Sequence, residues 1–187
     1  MVDPKAREPP CSGQPSAELI EACARGDREA FARLFDSWKD RVYALALRLT
    51  GRPSEAADVT QEVFLKLLTR MPQFRADARF STWLHRIVVN TFLGRRRSWG
   101  REAPAREAAA DGEREAARAD TARRVARGVA GLDPALRVPL VLRFAGGLSY
   151  EEIAAVLELP MGTVASRLSR ALRALAAGLP DPRDLEL

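Results

Sequence analysis

Apolar residues recur along this chain at the i, i+3, i+4 spacing of helices facing a common core, and no stretch alternates with the period of two that marks a strand. The clearest case is Asp27–Thr50, where Phe31, Leu34, Phe35, Trp38, Val42, Leu45, Ala46 and Leu49 form one stripe. Gly51 and Pro53 end that helix and open the next, Pro53–Arg70, whose stripe is Ala56, Val59, Val63, Phe64, Leu67 and Leu68. A short helix, Ala17–Ala24, precedes them and stops at Gly26. Met71-Pro72 begins a polar loop to Phe80, after which Ser81 is placed to cap a helix running to about Arg97.

The second half is punctuated differently. From Ser98 to about Arg118 the sequence is rich in Ala, Glu and Arg and contains Gly100, Pro104 and Gly112, with almost no large apolar residue. Such a segment cannot bury enough surface to pack as a core and reads as a linker. A helix near Asp120–Gly131 precedes Asp133-Pro134, a capping residue followed by Pro at the first helical position. Pro139 falls inside the helix that follows and is expected to kink it or mark a boundary. Ser149 and Glu152 form a capping box for a short helix, Tyr150–Leu157. After the break at Glu158-Leu159-Pro160 a last helix spans about Met161–Ala177, so the two read as a helix-turn-helix.

The expected fold is therefore all-α, with two small helical domains joined by a flexible linker. The boundaries are a disordered tail 1–16, a domain 17–97, a linker 98–118, a domain 119–179 and a tail 180–187. Composition narrows the function. Two cysteines, Cys11 and Cys23, cannot staple a fold and read as a tail thiol and a helix thiol. The lone His85 argues against histidine-rich metal sites, and no cofactor or metal is expected. No apolar run approaches a membrane span, and Met1–Ser16 lacks the apolar core of a signal peptide, so a cytoplasmic protein without membrane insertion is expected.

Net charge is +5, but its distribution carries more information than its sum. Residues 25–97 hold net +7, while 1–24 hold −2, 98–128 hold +1 and 129–187 hold −1. Within the neutral final block, Arg167, Arg170 and Arg173 meet no acid between Gly162 and Leu179. At 100° per residue, Val164, Leu168, Ala171, Leu172 and Leu175 of the last helix form a core face, while Thr163, Ser166, Arg167 and Arg170 lie opposite. Those groups can donate to base edges and phosphates in a major groove, though a solvated helix face has the same pattern. On the helix from Ser81, Trp83, Arg86, Ile87, Asn90, Gly94 and Arg97 share a stripe. An aromatic, an amide and guanidinium groups together suit unstacked bases and phosphates, whereas Trp83 and Ile87 alone would also fit a core. Arg95-Arg96-Arg97 is either a phosphate contact or a helix end that complements the dipole.

With these elements placed, the chain resembles bacterial RNA polymerase sigma factors of the extracytoplasmic-function group. The matching words are Asp58-Val59-Thr60-Gln61-Glu62-Val63-Phe64 and Phe80-Ser81-Thr82-Trp83-Leu84, with Arg86-Ile87 and Asn90. In the second half they are Leu148-Ser149-Tyr150-Glu151-Glu152-Ile153-Ala154, Gly162-Thr163-Val164, Ser166-Arg167-Leu168 and Arg170-Ala171. The resemblance implies that Asp58, Gln61, Glu62 and Phe64 dock on core RNA polymerase. It implies that Phe80, Trp83, Arg86, Asn90, Arg95, Arg96 and Arg97 melt and capture the −10 promoter element. Base capture costs a few kcal/mol of unstacking, which pocket residues must offset. Thr163, Ser166, Arg167, Arg170 and Arg173 would read the −35 element as duplex. The C-terminal domain would also touch the polymerase flap, and an anti-sigma factor would hold the protein inactive.

The chain departs from the family pattern at Gly94, where Asp is usual, and at Glu158, where a turn Gly is usual. Ala165 and Leu172 replace common basic positions, which predicts weaker or shifted −35 recognition. Two other classes compete. A free-standing helix-turn-helix regulator needs neither the Asp58–Phe64 word nor the Trp83–Arg97 stripe. An enzyme acting on a small-molecule substrate would need a phosphate-cradling loop, metal-ligand spacing or a nucleophile–base pair, none of which is visible.

Overall fold

A computed structural model describes residues 14–74, 79–96 and 113–178, with side chains from 122 onward in the last segment. Eight α-helices follow in order among these residues: α1 Ala17–Ala24, α2 Arg28–Thr50, α3 Pro53–Arg70, α4 Phe80–Arg96, α5 Glu113–Gly131, α6 Pro134–Phe144, α7 Tyr150–Leu157 and α8 Met161–Gly178. A single 3₁₀ turn, Met71–Gln73, follows α3, and no strand occurs among the described residues. The linker expected at 98–118 lies outside the described residues up to 112, and its end is helical, because α5 begins at Glu113. The tail 180–187, residues 1–13, Cys11, Arg97 and the middle of the loop before α4 also lie outside them.

Local chemistry sets most helix ends. Asp27 accepts from the backbone N–H groups of Glu29 and Ala30, and Asp133 accepts from that of Ala135. Ser149 and Glu152 complete a reciprocal capping box at α7. α4 differs from its expected start: it begins at Phe80, so Ser81 lies inside the first turn, where its hydroxyl accepts from the Gln14 amide. Pro139 does not break α6. It removes one bond to the Ala135 carbonyl, which lies at an exposed position, while the proline ring is buried.

α2, α3 and α4 enclose the first core around Leu34, Trp38, Leu49, Val59, Val63, Leu67, Val88 and Phe92; α6, α7 and α8 enclose the second around Leu142, Ile153, Val164 and Leu168. Fully burying each such aliphatic side chain contributes about 1.5–3 kcal/mol. The two cores are continuous, so the domains expected on a tether are packed together. Gly51, at φ 76, meets α5 so closely that an added Cβ would lie 2.8 Å from Ala130 Cβ. At Gly146 an added Cβ would lie 2.7 Å from the Leu142 carbonyl oxygen and 3.3 Å from His85 Nε2 on α4.

Arg137 staples this interface. It is buried, and its guanidinium donates to the carbonyls of Leu49 (2.7 Å) at the end of α2, Leu132 (2.9 Å) beyond α5, and Ala130. Leu49 and Ala130 lie in the last turns of α2 and α5, whose carbonyls have no intrahelical partner. A cation where two helix C-termini converge is favoured by both dipoles, which explains a buried arginine bound to carbonyls instead of a carboxylate. Its Nε is left without a hydrogen-bond partner.

Candidate nucleic-acid interfaces and partner-facing ridge

α8 presents the simplest surface. Val164, Leu168 and Ala171 are buried against α6 and α7, which turns Ser166, Arg170 and Arg173 outward and leaves Thr163 and Arg167 half-buried beside them. Leu172, placed on the core face from its spacing, is instead 47% exposed. The Ser166 hydroxyl donates to the Thr163 carbonyl, and Arg173 Nε donates to that of Ser169, so both side chains are folded back along the helix. Among the described residues no ion pair engages Arg167, Arg170 or Arg173, and their charge is available to a polyanion. The turn before α8 is made by Glu158 at φ 54, ψ 46. The turn therefore has the left-handed geometry that glycine adopts freely, built with a residue that carries a carboxylate.

α4 is differently disposed. Trp83 is half-buried at the edge of an aromatic cluster, 4.9 Å from Phe74 and 6.0 Å from Phe80 between ring centroids. Phe80 lies inside that cluster, edge-on to Trp38 at 5.3 Å and only 2% exposed. Phe80 thus supports the Trp83 ring from below and does not offer its own surface to a base. Ile87 is likewise core, whereas Asn90 and Arg96 are exposed. Arg86 forms an ion pair with Glu158, across the domain interface. Arg95 turns away from the stripe toward α3, with Nε 2.5 Å from Glu62 and a terminal nitrogen 3.0 Å from Asp58. Its placement is that of a bridge between helices, in contrast to the DNA contact expected from the Arg95-Arg96-Arg97 run.

His85, on the opposite side of α4, is buried at the domain interface and shares a hydrogen bond with the Ser81 carbonyl at 2.5 Å. Burial lowers its pKa from the ordinary 6.5 and so favours the neutral ring, partly opposed by that bond and by the Glu152 carboxylate.

α3 carries the third surface. Asp58, Gln61, Glu62, Leu65 and Leu68 fall within about 120° on one side at 100° per residue. Asp58 and Gln61 are exposed, and so are Leu65 (58%) and Leu68 (52%). Phe64 faces inward at 6% exposure, edge-on to Phe35 with centroids 4.6 Å apart, so its ring is interior packing and the apolar part of the ridge is Leu65 and Leu68. The sequence pattern had set Leu68 in the core stripe; Leu65 is the side chain that spacing alone could have found, one turn on from Gln61. Hydrogen bonds from Lys66 and Arg95 lower the pKa of Glu62 from its ordinary value. Lys66 in turn donates to Thr91 of α4 at 3.1 Å, so the acidic ridge is fixed to the helix behind it.

A capped helix-turn-helix beside a helical bundle with a second basic helix is the architecture of a DNA-binding protein with two reading heads. The chain matches the family model described as Sigma-70 region 2 over residues 34–102 and that described as Sigma-70, region 4 over 122–175. It is 34% identical over 178 residues to the RNA polymerase sigma-H factor of Pseudomonas aeruginosa, covering 87% of this chain and 92% of that one. It is 34% identical over 174 residues to the ECF RNA polymerase sigma-E factor of Escherichia coli K12, covering 84% and 90%. The chain belongs to the sigma-70 family of RNA polymerase sigma factors, in the extracytoplasmic-function group. Similar solved structures include CnrH in complex with the cytosolic domain of CnrY, with TM-score 0.66, 29% identity and coverage of 86% and 94%. Another is the sigma factor RpoE in complex with the anti-sigma factor NepR from Bartonella quintana, with TM-score 0.67, 25% identity and coverage of 82% and 98%. No described helix is long and apolar enough to cross a membrane.

Proposed function

We propose that the chain acts in the cytoplasm as an alternative sigma subunit without chemistry of its own, dividing promoter recognition between residues 17–97 and 119–179. α3 docks on core RNA polymerase through Asp58, Gln61 and Glu62 with Leu65 and Leu68. α4 takes the melted −10 strand: Trp83 offers a ring face, Asn90 an amide and Arg86 and Arg96 their charge, with Phe80 as the support beneath. α8 lies in the major groove of the −35 element, with Thr163, Ser166, Arg167, Arg170 and Arg173 toward DNA. An anti-sigma protein controls it, a reading supported by the likeness to RpoE held by NepR.

The observation that carries this reading is the face of α8. Its three arginines are without ion pairs among the described residues, behind an N-terminal turn bearing Thr163 and Ser166, on a helix whose other side is core. The deciding experiment is reconstitution with core RNA polymerase on a short promoter carrying −35 and −10 elements. The chain is expected to bind core and start specific transcripts. Failure to bind core would overturn the reading; binding without start-site selection would overturn the division of roles.

A further inference from the structure

A −10 and a −35 element lie some 25 base pairs apart, on the order of 85 Å at 3.4 Å per pair. A compact chain of this length has a radius of gyration of about 16 Å. The packed arrangement therefore cannot hold both elements, and its domain interface must part before a promoter is bound.

Two acids of the C-terminal domain cross that interface onto α4 and the residue before it. Glu152 Oε1 lies 3.1 Å from an Arg79 terminal nitrogen, and Glu158 pairs with Arg86. Arg79 immediately precedes α4, and Arg86 stands one turn from Trp83 and one from Asn90. Each carboxylate thus occupies a guanidinium that a strand phosphate would need. Glu158 also occupies the left-handed turn position where glycine would relieve the backbone and form no ion pair. Glu152 serves α7 twice, since its other oxygen accepts from the Ser149 N–H in the capping box.

We propose that the acidic edge of the helix-turn-helix, Glu152 and Glu158, is an internal occupant of the α4 nucleic-acid face. It holds Arg79 and Arg86 in the closed chain and masks them from the −10 strand until the domains part. The proposal rests on the reading of α4 as the −10 surface. Each pair has one well-exposed partner, Arg79 in the first and Glu158 in the second, so each is weak and salt-sensitive, as a latch that must open has to be.

The test uses the full chain and two readouts. Glu152→Gln retains a capping-box acceptor, and Glu158→Asn retains a residue tolerant of the left-handed turn, so the double variant removes both charges with little injury to the fold. A Glu18→Gln/Glu151→Gln variant makes the same change in net charge at exposed acids that form no ion pair among the described residues. Anisotropy with a labelled single-stranded −10 oligonucleotide is expected to show about three- to tenfold tighter binding for the latch variant alone, a gap that closes with added salt. Separately, a thermal-unfolding cycle of Arg86→Met against Glu158→Asn is expected to be non-additive by about 1–3 °C at low salt. Additive shifts would overturn the latch. A coupled pair with unchanged oligonucleotide affinity would overturn the masking. If no variant binds the oligonucleotide, the −10 reading of α4 falls and the masking with it, while the cycle still decides whether the ion pair holds the domains.

Discussion

The chain has two helices that each carry three arginines among the described residues, and the structure treats them in opposite ways. On α8, Arg167, Arg170 and Arg173 face away from their domain without ion pairs among the described residues, as fits a surface waiting for a duplex. On α4, Arg86 is paired across the domain interface and Arg95 is paired to α3, while Trp83 leans on an aromatic cluster. The difference follows from position. α8 is an outer helix packed on one side only, whereas α4 lies between α3 and α7, where Arg95 meets Asp58 and Glu62 of α3 and Arg86 meets Glu158 in the turn after α7. Equal basic composition therefore yields one helix whose guanidinium groups form no ion pairs among the described residues and one on which Arg86 and Arg95 are already engaged.

The largest way to break this contrast is to loosen the domain interface beside α4. Arg137→Met removes the staple and leaves the Leu49, Ala130 and Leu132 carbonyls without their donor, partly offset by no longer burying a charge. A loss of about 2–4 kcal/mol is expected in denaturant unfolding. A loss below about 0.5 kcal/mol would mean that the domains are held by other contacts. On the open side, Arg167→Ala should weaken −35 duplex binding by about 1–3 kcal/mol and relax base preference. Transcription from a −35-dependent promoter should fall while −10 oligonucleotide binding is unchanged. Unaltered transcription would remove Arg167 from the reading face.

Helix positions were largely legible in the sequence because they depend on local chemistry: Asp27, Asp133 and the Ser149–Glu152 box cap where their types and spacing indicate. The α8 face was legible for a related reason, since one periodic core stripe leaves its complement to solvent. α3 was not, because Phe64, Leu65, Leu67 and Leu68 in near succession defeat a single-stripe reading, and only packing against Phe35 tells which ring turns inward. Least legible was the closed arrangement. Arg137 counts as one more surface charge until its three carbonyl partners are in place, and one of them, Leu49, is 88 residues away. Arg95 likewise reads as part of a basic run until the fold sets Asp58 and Glu62 opposite it.

A smaller probe acts on the interface through pH. His85 is buried neutral with its folded pKa depressed below 6.5 mainly by burial, so the unfolded chain takes up its proton first on acidification. Stability should be full above about pH 6.5 and fall below it, by at most about 1.4 kcal/mol per pH unit, until the folded pKa is reached. Glu62, whose pKa is lowered, loses its contribution only further down, as pH falls below the ordinary carboxylate value of 4.5. Melting temperatures between pH 7.5 and 5.5 therefore isolate the histidine. His85→Asn should lower stability throughout and flatten the profile across that window; a profile as steep as wild type would assign the titration elsewhere.

The finest distinction concerns Arg95, which belongs to the basic helix by sequence and to the acidic ridge by geometry. If it serves the −10 strand, Arg95→Ala weakens oligonucleotide binding and leaves core polymerase affinity alone. If it orients Asp58 and Glu62, the reverse holds: core affinity drops about two- to fivefold, as expected for partly exposed pairs. The second outcome is expected, since its guanidinium pairs with Asp58 and Glu62 of α3. Arg95→Lys supplies a point charge without the planar fork, so it should restore attraction to one carboxylate and recover only part of the loss. Raising the salt should shrink the gap between wild type and Arg95→Ala in core binding, because screening removes the same ion pairs. Equal losses of DNA and core affinity in Arg95→Ala would mean that α3 and α4 act as one surface, and that the contrast with α8 is between a shared face and a single one.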